Sequence, residues 1–284
     1  MYYFPAFYLF PFLLRSIALL VFLFGFSKDV VAQGDLMIFP KRLEFQNTRD
    51  RVKILNLHNI SNDTVTYRIS YINYSMKEDG SFVKVQEPGD KQRFASPFLR
   101  FYPSVITLAP EESQVLKVQL IKTSDLQYGE YRSHLYFRGV PKIEEAEKIL
   151  EQKTDEFKVN LVPVYGISIA NVISIGESNV EVSISNLSFE KINDLPILNL
   201  SFYRNGDFSC YGDIKVMYKS PQGVEKIVGE IQGFAVYSPG HLRKAKIELN
   251  NSEDVDYNKG GELIVRYLFQ GRQKNLIAEK VLKL

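Results

Sequence analysis

Val65-Thr66-Tyr67-Arg68-Ile69-Ser70-Tyr71 decides the fold class of this chain, because Val65, Tyr67, Ile69 and Tyr71 share one side of an extended backbone and Thr66, Arg68 and Ser70 share the other. Successive side chains of a strand point to opposite faces, so the alternation marks a strand with one buried face. Leu116, Val118 and Leu120 repeat it against Lys117 and Gln119. Turn-forming clusters at Asn59 to Asp63, Glu78 to Ser81 and Glu87 to Asp90 separate such runs. Between Leu36 and Ile169 about seven of them fit a β-sandwich.

Beyond Ala170 the same pattern starts again, with Val180, Val182 and Ile184, then Leu198, Leu200 and Phe202, then Ile214, Val216 and Tyr218. An internal echo links the halves. Lys117-Val118-Gln119-Leu120 precedes Gly129-Glu130-Tyr131 and Leu135-Tyr136-Phe137, as Lys246-Ile247-Glu248-Leu249 precedes Gly261-Glu262-Leu263 and Tyr267-Leu268-Phe269. The reading is an all-β chain of two immunoglobulin-like β-sandwich domains, 33–170 and 171–284, behind a signal peptide at 1–32. No Gly/Ser spacer marks the boundary near Ala170 to Ile173, which implies a fixed angle between domains.

The leader reading rests on Arg15, the apolar stretch from Ser16 to Phe26, and the small residues of Val30-Val31-Ala32, where a signal peptidase could cut. The mature chain then starts near Gln33, outside the cytoplasm. An uncleaved membrane anchor is the alternative, since Tyr2 through Phe26 approach the roughly 20 residues that a spanning helix needs. Removing the leader takes away Arg15, Lys28 and Asp29 from 35 basic and 33 acidic residues, so the mature chain is nearly neutral. That balance offers no electrostatic footprint for nucleic acid.

Little here points to catalysis. The three histidines, His58, His134 and His241, have no metal-spaced partner, and no P-loop, HExxH, GxSxG or GxGxxG motif occurs. Cys210 stands alone, so no disulfide forms within the chain, and it reads as a small buried side chain near a strand start. Six N-x-S/T sequons, at Asn59, Asn62, Asn73, Asn186, Asn199 and Asn250, read as coincidence, since several fall within strands. Lys142 to Glu156 breaks the strand pattern and reads as a long charged loop with a helical turn or two. The chain is not read as an enzyme and needs no cofactor, metal or small-molecule substrate.

Ile38-Phe39-Pro40-Lys41-Arg42-Leu43-Glu44-Phe45, Asn56, Arg100-Phe101-Tyr102-Pro103, Leu108-Ala109-Pro110, Gln114 and Gly129-Glu130-Tyr131-Arg132 resemble the periplasmic pilus-assembly chaperones, the PapD-like family. Arg204-Asn205-Gly206, Tyr211-Gly212-Asp213 and Gly233-Phe234-Ala235-Val236-Tyr237 look like a divergent, Bacteroidetes-type branch of it. The resemblance implies a boomerang of two immunoglobulin-like domains. Such a protein binds exported fimbrial or surface-protein subunits by lending an edge strand, and hands them to an assembly platform, an outer-membrane usher being the candidate.

The resemblance also implies two basic residues that anchor the subunit's terminal carboxylate. Arg42 matches the first, and a guanidinium suits the task because it is always charged and can grip a carboxylate with two parallel bonds. Asn160 falls where the second, a lysine, belongs; Lys158 shares its strand face and could substitute. Phe157, Val159 and Leu161, on the opposite face, would form the donor-strand edge. The competing readings are plain: Arg42 and Lys158 as solvated strand surface, and the whole chain as a membrane-anchored or surface-displayed adhesive module.

Overall fold

The computed structural model describes residues 36–141, 164–250, 255–269 and 275–284. The expected leader, the charged loop from Lys142 to Glu156 and the run from Phe157 to Leu161 lie outside the described residues. The first sandwich opens with β1 (Leu36–Phe39), β2 (Arg42–Phe45), β3 (Val52–Asn59), β4 (Val65–Met76) and β5 (Phe82–Val85). It continues with β6 (Leu99–Tyr102), β7 (Val105–Leu108), β8 (Ser113–Leu120), β9 (Gly129–Gly139) and β10 (Gly166–Ile175).

One sheet has the order β1-β3-β8-β6 and the other β2-β10-β9-β4-β5, with β7 also on β4. The alternation that announced these strands is the alternation that fills the core. Leu55, Leu57, Leu116, Val118, Leu135 and Phe137 are fully shielded from solvent, and Tyr67 and Ile69 are buried beside them. Each such side chain contributes about 1.5–3 kcal/mol by leaving water.

Asn59 ends β3 without any exposure. Its amide donates to the carbonyls of Asp63, Leu108 and Ala109, at 2.7, 3.2 and 2.9 Å, and so ties the β3–β4 turn to the end of β7. A sequon asparagine used in this way has no amide left to carry a glycan.

The second sandwich comprises β11 (Glu181–Ile192), β12 (Leu195–Asn205), β13 (Cys210–Lys219), β14 (Glu225–Val236), β15 (Leu242–Glu248), β16 (Glu262–Phe269) and β17 (Leu276–Lys283). A sheet of order β11-β12-β15 faces one of order β14-β13-β16-β17. Leu198, Phe202, Ile214, Val216 and Tyr267 are fully buried or nearly so. The Phe202 ring lies 4.6 Å from Phe234 and 5.3 Å from Tyr267, whose hydroxyl donates to the Phe234 carbonyl at 2.9 Å. Cys210 is buried at the first position of β13.

The sequence boundary at Ala170 falls inside β10. That strand pairs with β9 from Gly166 to Ile175, and Ile173 belongs to the first core. The pairing of the first sandwich therefore continues to Ile175.

Val118 is completely buried and Ile69 nearly so. Val118→Asp or Ile69→Asp therefore strands an unpaired carboxylate among apolar side chains and lowers stability by about 3–5 kcal/mol. Urea unfolding measures this loss, and a midpoint close to that of the parent protein contradicts the strand phase.

Candidate functional site

The chain leaves one sheet at Phe39 and joins the other at Arg42, so β1 and β2 are successive halves of one strand divided between the two layers. In β2, Leu43 and Phe45 enter the core, which turns Arg42 and Glu44 outward. β2 runs parallel to β10, with Arg42 opposite Ala170 and Phe45 opposite Ile173. Pairing with β9 occupies the other side of β10 along its whole length. From Gly166 to Ile169 the side of β10 that β2 would cover has no strand on it among the described residues.

The direction of the free main-chain groups follows. Gly139 N–H donates to Tyr165 C=O at 2.9 Å, so Tyr165 and, by alternation, Ile167 and Ile169 turn their main-chain groups toward β9. Gly166 and Ser168 turn theirs to the open side. Arg42 stands where that open stretch ends.

Arg42 is an outward residue that the second sandwich covers, leaving its side chain only 10% exposed. Its Nε donates to Glu44 Oε1 at 2.5 Å and its Nη1 to the Tyr237 hydroxyl at 3.0 Å. The guanidinium carbon lies 4.6 Å from the centre of the Tyr211 ring and 5.5 Å from that of Tyr237. Burial by itself opposes the charge, but Tyr237, Glu44 and Glu130 outweigh it and hold the Arg42 pKa above its ordinary value.

A second guanidinium shares the Tyr237 ring. Arg132, on β9 and 7% exposed, stacks on it at 3.9 Å and donates from Nη2 to Ser238 O at 3.4 Å. Its Nε and Nη1 are buried with no partner among the described residues. Burial, then the nearby Arg42 charge, push the Arg132 pKa below its ordinary value. Glu130, the neighbouring acid, accepts from Ser209 N at 2.8 Å and from the Ser209 hydroxyl, and so is shared with the second sandwich.

Next on the same strand face comes His134, edge-on to Tyr74 at 5.0 Å and to Phe82 at 5.6 Å. Its Nδ1 is buried and unpartnered, and burial together with the Arg132 and Arg42 charges pushes its pKa down to about 3. Ala170 of β10 thus has Arg42 opposite it on β2 and His134 opposite it on β9, with Arg132 two residues along β9, opposite Val172. Opening beside Arg42 is a cavity of about 650 Å³ whose lining includes Phe39, Glu44, Ile54 and Tyr211. Chemically, the arrangement concentrates positive charge and unsatisfied N–H donors in a largely desolvated place.

Of the site residues read from the sequence, Arg42 is at this cleft. Lys158, Asn160, Phe157, Val159 and Leu161 lie outside the described residues. The cation that the fold sets beside Arg42 is Arg132, which sequence reasoning passed over. Its parity in β9, shared with Glu130 and His134, reads as a solvated face until the second sandwich is laid against it.

No protein-family model matches the chain, and no curated protein matches it. Among solved structures it is similar to a chain of the chaperone–tip adhesin complex of CFA/I fimbriae biogenesis, at 13% identity over 88% of this chain and 98% of that one, with a TM-score of 0.43. It is also similar to the class 5 fimbriae chaperone CfaA, at 15% identity over 87% and 98% of the two chains, with a TM-score of 0.41. The CupB2 chaperone of Pseudomonas aeruginosa matches at 12% identity over 87% and 98%, also with a TM-score of 0.41.

His134 gives the site a pH signature. With the folded pKa near 3 and an ordinary value of 6.5, the unfolded chain binds the extra proton first as pH falls, so stability drops below about pH 6.5. Between pH 7 and pH 5 this one group removes about 2 kcal/mol. His134→Gln abolishes that share of the slope in urea unfolding; an unchanged slope means that the imidazole titrates as freely in the folded protein as in water.

Proposed function

We propose that this protein is a periplasmic chaperone that binds exported fimbrial or surface-protein subunits by β-strand addition and hands them to an assembly platform in the outer membrane. The observation that carries the reading is the geometry of β10, whose open stretch ends at a buried guanidinium. A segment laid along Gly166 to Ile169 in line with β2 and running the same way would bring its own carboxyl end to Arg42. Run the other way, it would present its amino end to two cations. The charge of the cleft therefore selects parallel addition of a chain terminus.

Arg42 grips the terminal carboxylate in this mechanism, and Arg132 supplies the free donors from the other side of β10. The main-chain groups of Gly166 and Ser168 begin the ladder, and Phe157, Val159 and Leu161 extend the donor edge upstream, with Lys158 or Asn160 as a further anchor. Main-chain bonds supply affinity without regard to sequence, while the pockets that receive alternate side chains supply selectivity. Binding of this kind covers a subunit's exposed groove and an unpaired edge together, which is what prevents aggregation. No cofactor or nucleotide enters the scheme.

The test uses the tagged protein recovered from the periplasm, with identification of the polypeptide that co-purifies. Arg42→Ala removes the anchor. Ser168→Pro removes an outward N–H and leaves the ladder to β9 intact. Each is expected to lower recovery of the bound polypeptide by about tenfold, the equivalent of one good charge-assisted contact. Undiminished recovery from both variants, with folding verified by circular dichroism, overturns the reading.

A further inference from the structure

The second sandwich also has an open border. β15 pairs with β12 from Leu242 to Glu248; on its other side Lys244 N donates to Glu78 O at 2.6 Å, and two residues past the strand Asn250 N donates to Val228 O at 2.6 Å, so the open stretch lies between these two bonds. By strand alternation the N–H and C=O of Lys246 point the same way as those of Lys244. They have no main-chain partner there among the described residues.

Beside this border, where three strands face four, lies a slot of about 660 Å³. Leu200, Ile231, Phe234 and Ala245 make its apolar floor, while Arg243, Lys244 and Lys246, against the single acid Asp79, leave its rim with a net positive charge. Arg243 is turned inward: its guanidinium carbon lies 3.8 Å from the Phe234 ring centre, and its Nη1 donates to Ala235 O. The buried Nε of Arg243 has no partner among the described residues.

The chain itself displays the chemistry that this border accepts. Glu78, in the turn between β4 and β5, gives its carbonyl to Lys244 N–H and its carboxylate to Lys244 Nζ at 2.7 Å. One acidic residue thus already holds the first rung of a ladder whose next rung, at Lys246, is vacant on the same side.

We propose that this border of the second sandwich docks an extended acidic segment of a protein partner as a fourth strand beside β15. Its main chain bonds to Lys246, its apolar side chains enter the slot over Leu200 and Ala245, and its carboxylates, on the alternate face, meet the ammonium groups of Lys244 and Lys246. Charge complementarity and the Glu78 precedent select an acidic peptide over an uncharged one. The site is separate from the Arg42 cleft and stands whether or not that cleft binds a subunit.

Fluorescence anisotropy with the purified protein and a labelled peptide of four Glu-Val repeats tests this, with four Lys-Val repeats as the comparison. The acidic peptide is expected to bind and the basic one to fail, with hydrogen exchange slowed at the Lys246 amide. Lys246→Glu, a change at an exposed position, weakens binding by about tenfold. Ser168→Pro, which blocks the β10 edge instead, leaves the affinity within about twofold. Equal binding of the basic peptide, an unaltered affinity of Lys246→Glu, or protection appearing at Ser168 in place of Lys246 each overturns the proposal. So does loss of the site to self-association seen by analytical ultracentrifugation, or occupation of the slot by dodecanoate with no binding of the acidic peptide.

Discussion

A single strand divided between two sheets sets the terms for the rest of this structure. Leu36 to Phe39 serve one layer and Arg42 to Phe45 the other, with only Pro40 and Lys41 between them. Because the crossing is so short, β2 can reach only the second half of β10, and the first half has one side unpaired among the described residues. The same crossing fixes Arg42 as the first residue of β2, at the corner where closed border becomes open border. Backbone geometry alone thus puts a cation at the end of a vacant ladder.

Burying that cation carries a cost that the surroundings must offset. Removing a guanidinium from water is unfavourable unless its donors find acceptors and its charge finds a counter-charge. Arg42 has both in Glu44 and Tyr237, and it lies over the Tyr211 ring. Arg132 has less among the described residues: a long bond to a carbonyl, the face of Tyr237 and the nearby charge of Glu130. Two guanidiniums near one tyrosine, with Glu130 committed to Ser209, leave the cleft with more positive charge and more donors than its own acids can answer. An incoming carboxylate would relieve that imbalance, whereas an incoming ammonium would add to it.

Much of the fold was legible because burial in a sandwich follows a period of two, and Leu116, Val118 and Leu120 or Leu198, Leu200 and Phe202 satisfy it without exception. β10 runs through the residues where the sequence sets the domain boundary. Ile167, Ile169, Asn171, Ile173 and Ile175 share one face of β10, but Asn171 interrupts the apolar series where the strand should have been followed onward. That asparagine is wholly buried and donates to the Tyr71 hydroxyl at 3.4 Å, a partner 100 residues away that no local pattern reveals. Arg132 was hidden in the same way, since what buries it is Tyr237, on the other sandwich. Arg42 was singled out by resemblance, and its neighbours Leu43 and Phe45, which enter the core, fix which way it points.

The two open borders differ in how they are guarded, and the difference is informative. Exposed sheet edges invite unwanted pairing, and proteins blunt them with charges, inward-pointing ions or a covering turn. β15 has all three: Lys244 and Lys246 on its outer face, Arg243 turned into the slot, and the Glu78 turn seated on its first free N–H. Such an edge admits only a segment that answers its charge. Along β10, Gly166, Ile167, Ser168 and Ile169 carry no charge at all; Arg138 lies across from Gly166 on β9, on the side already paired, and Arg42 stands at the far end of the stretch on the open side. Nothing in those four side chains rejects an added strand, so discrimination there falls to the corner where Arg42 sits, which an approaching chain reaches last. An edge open along its length and selective at its end is suited to testing a terminus, whereas an edge charged along its length is suited to testing a composition.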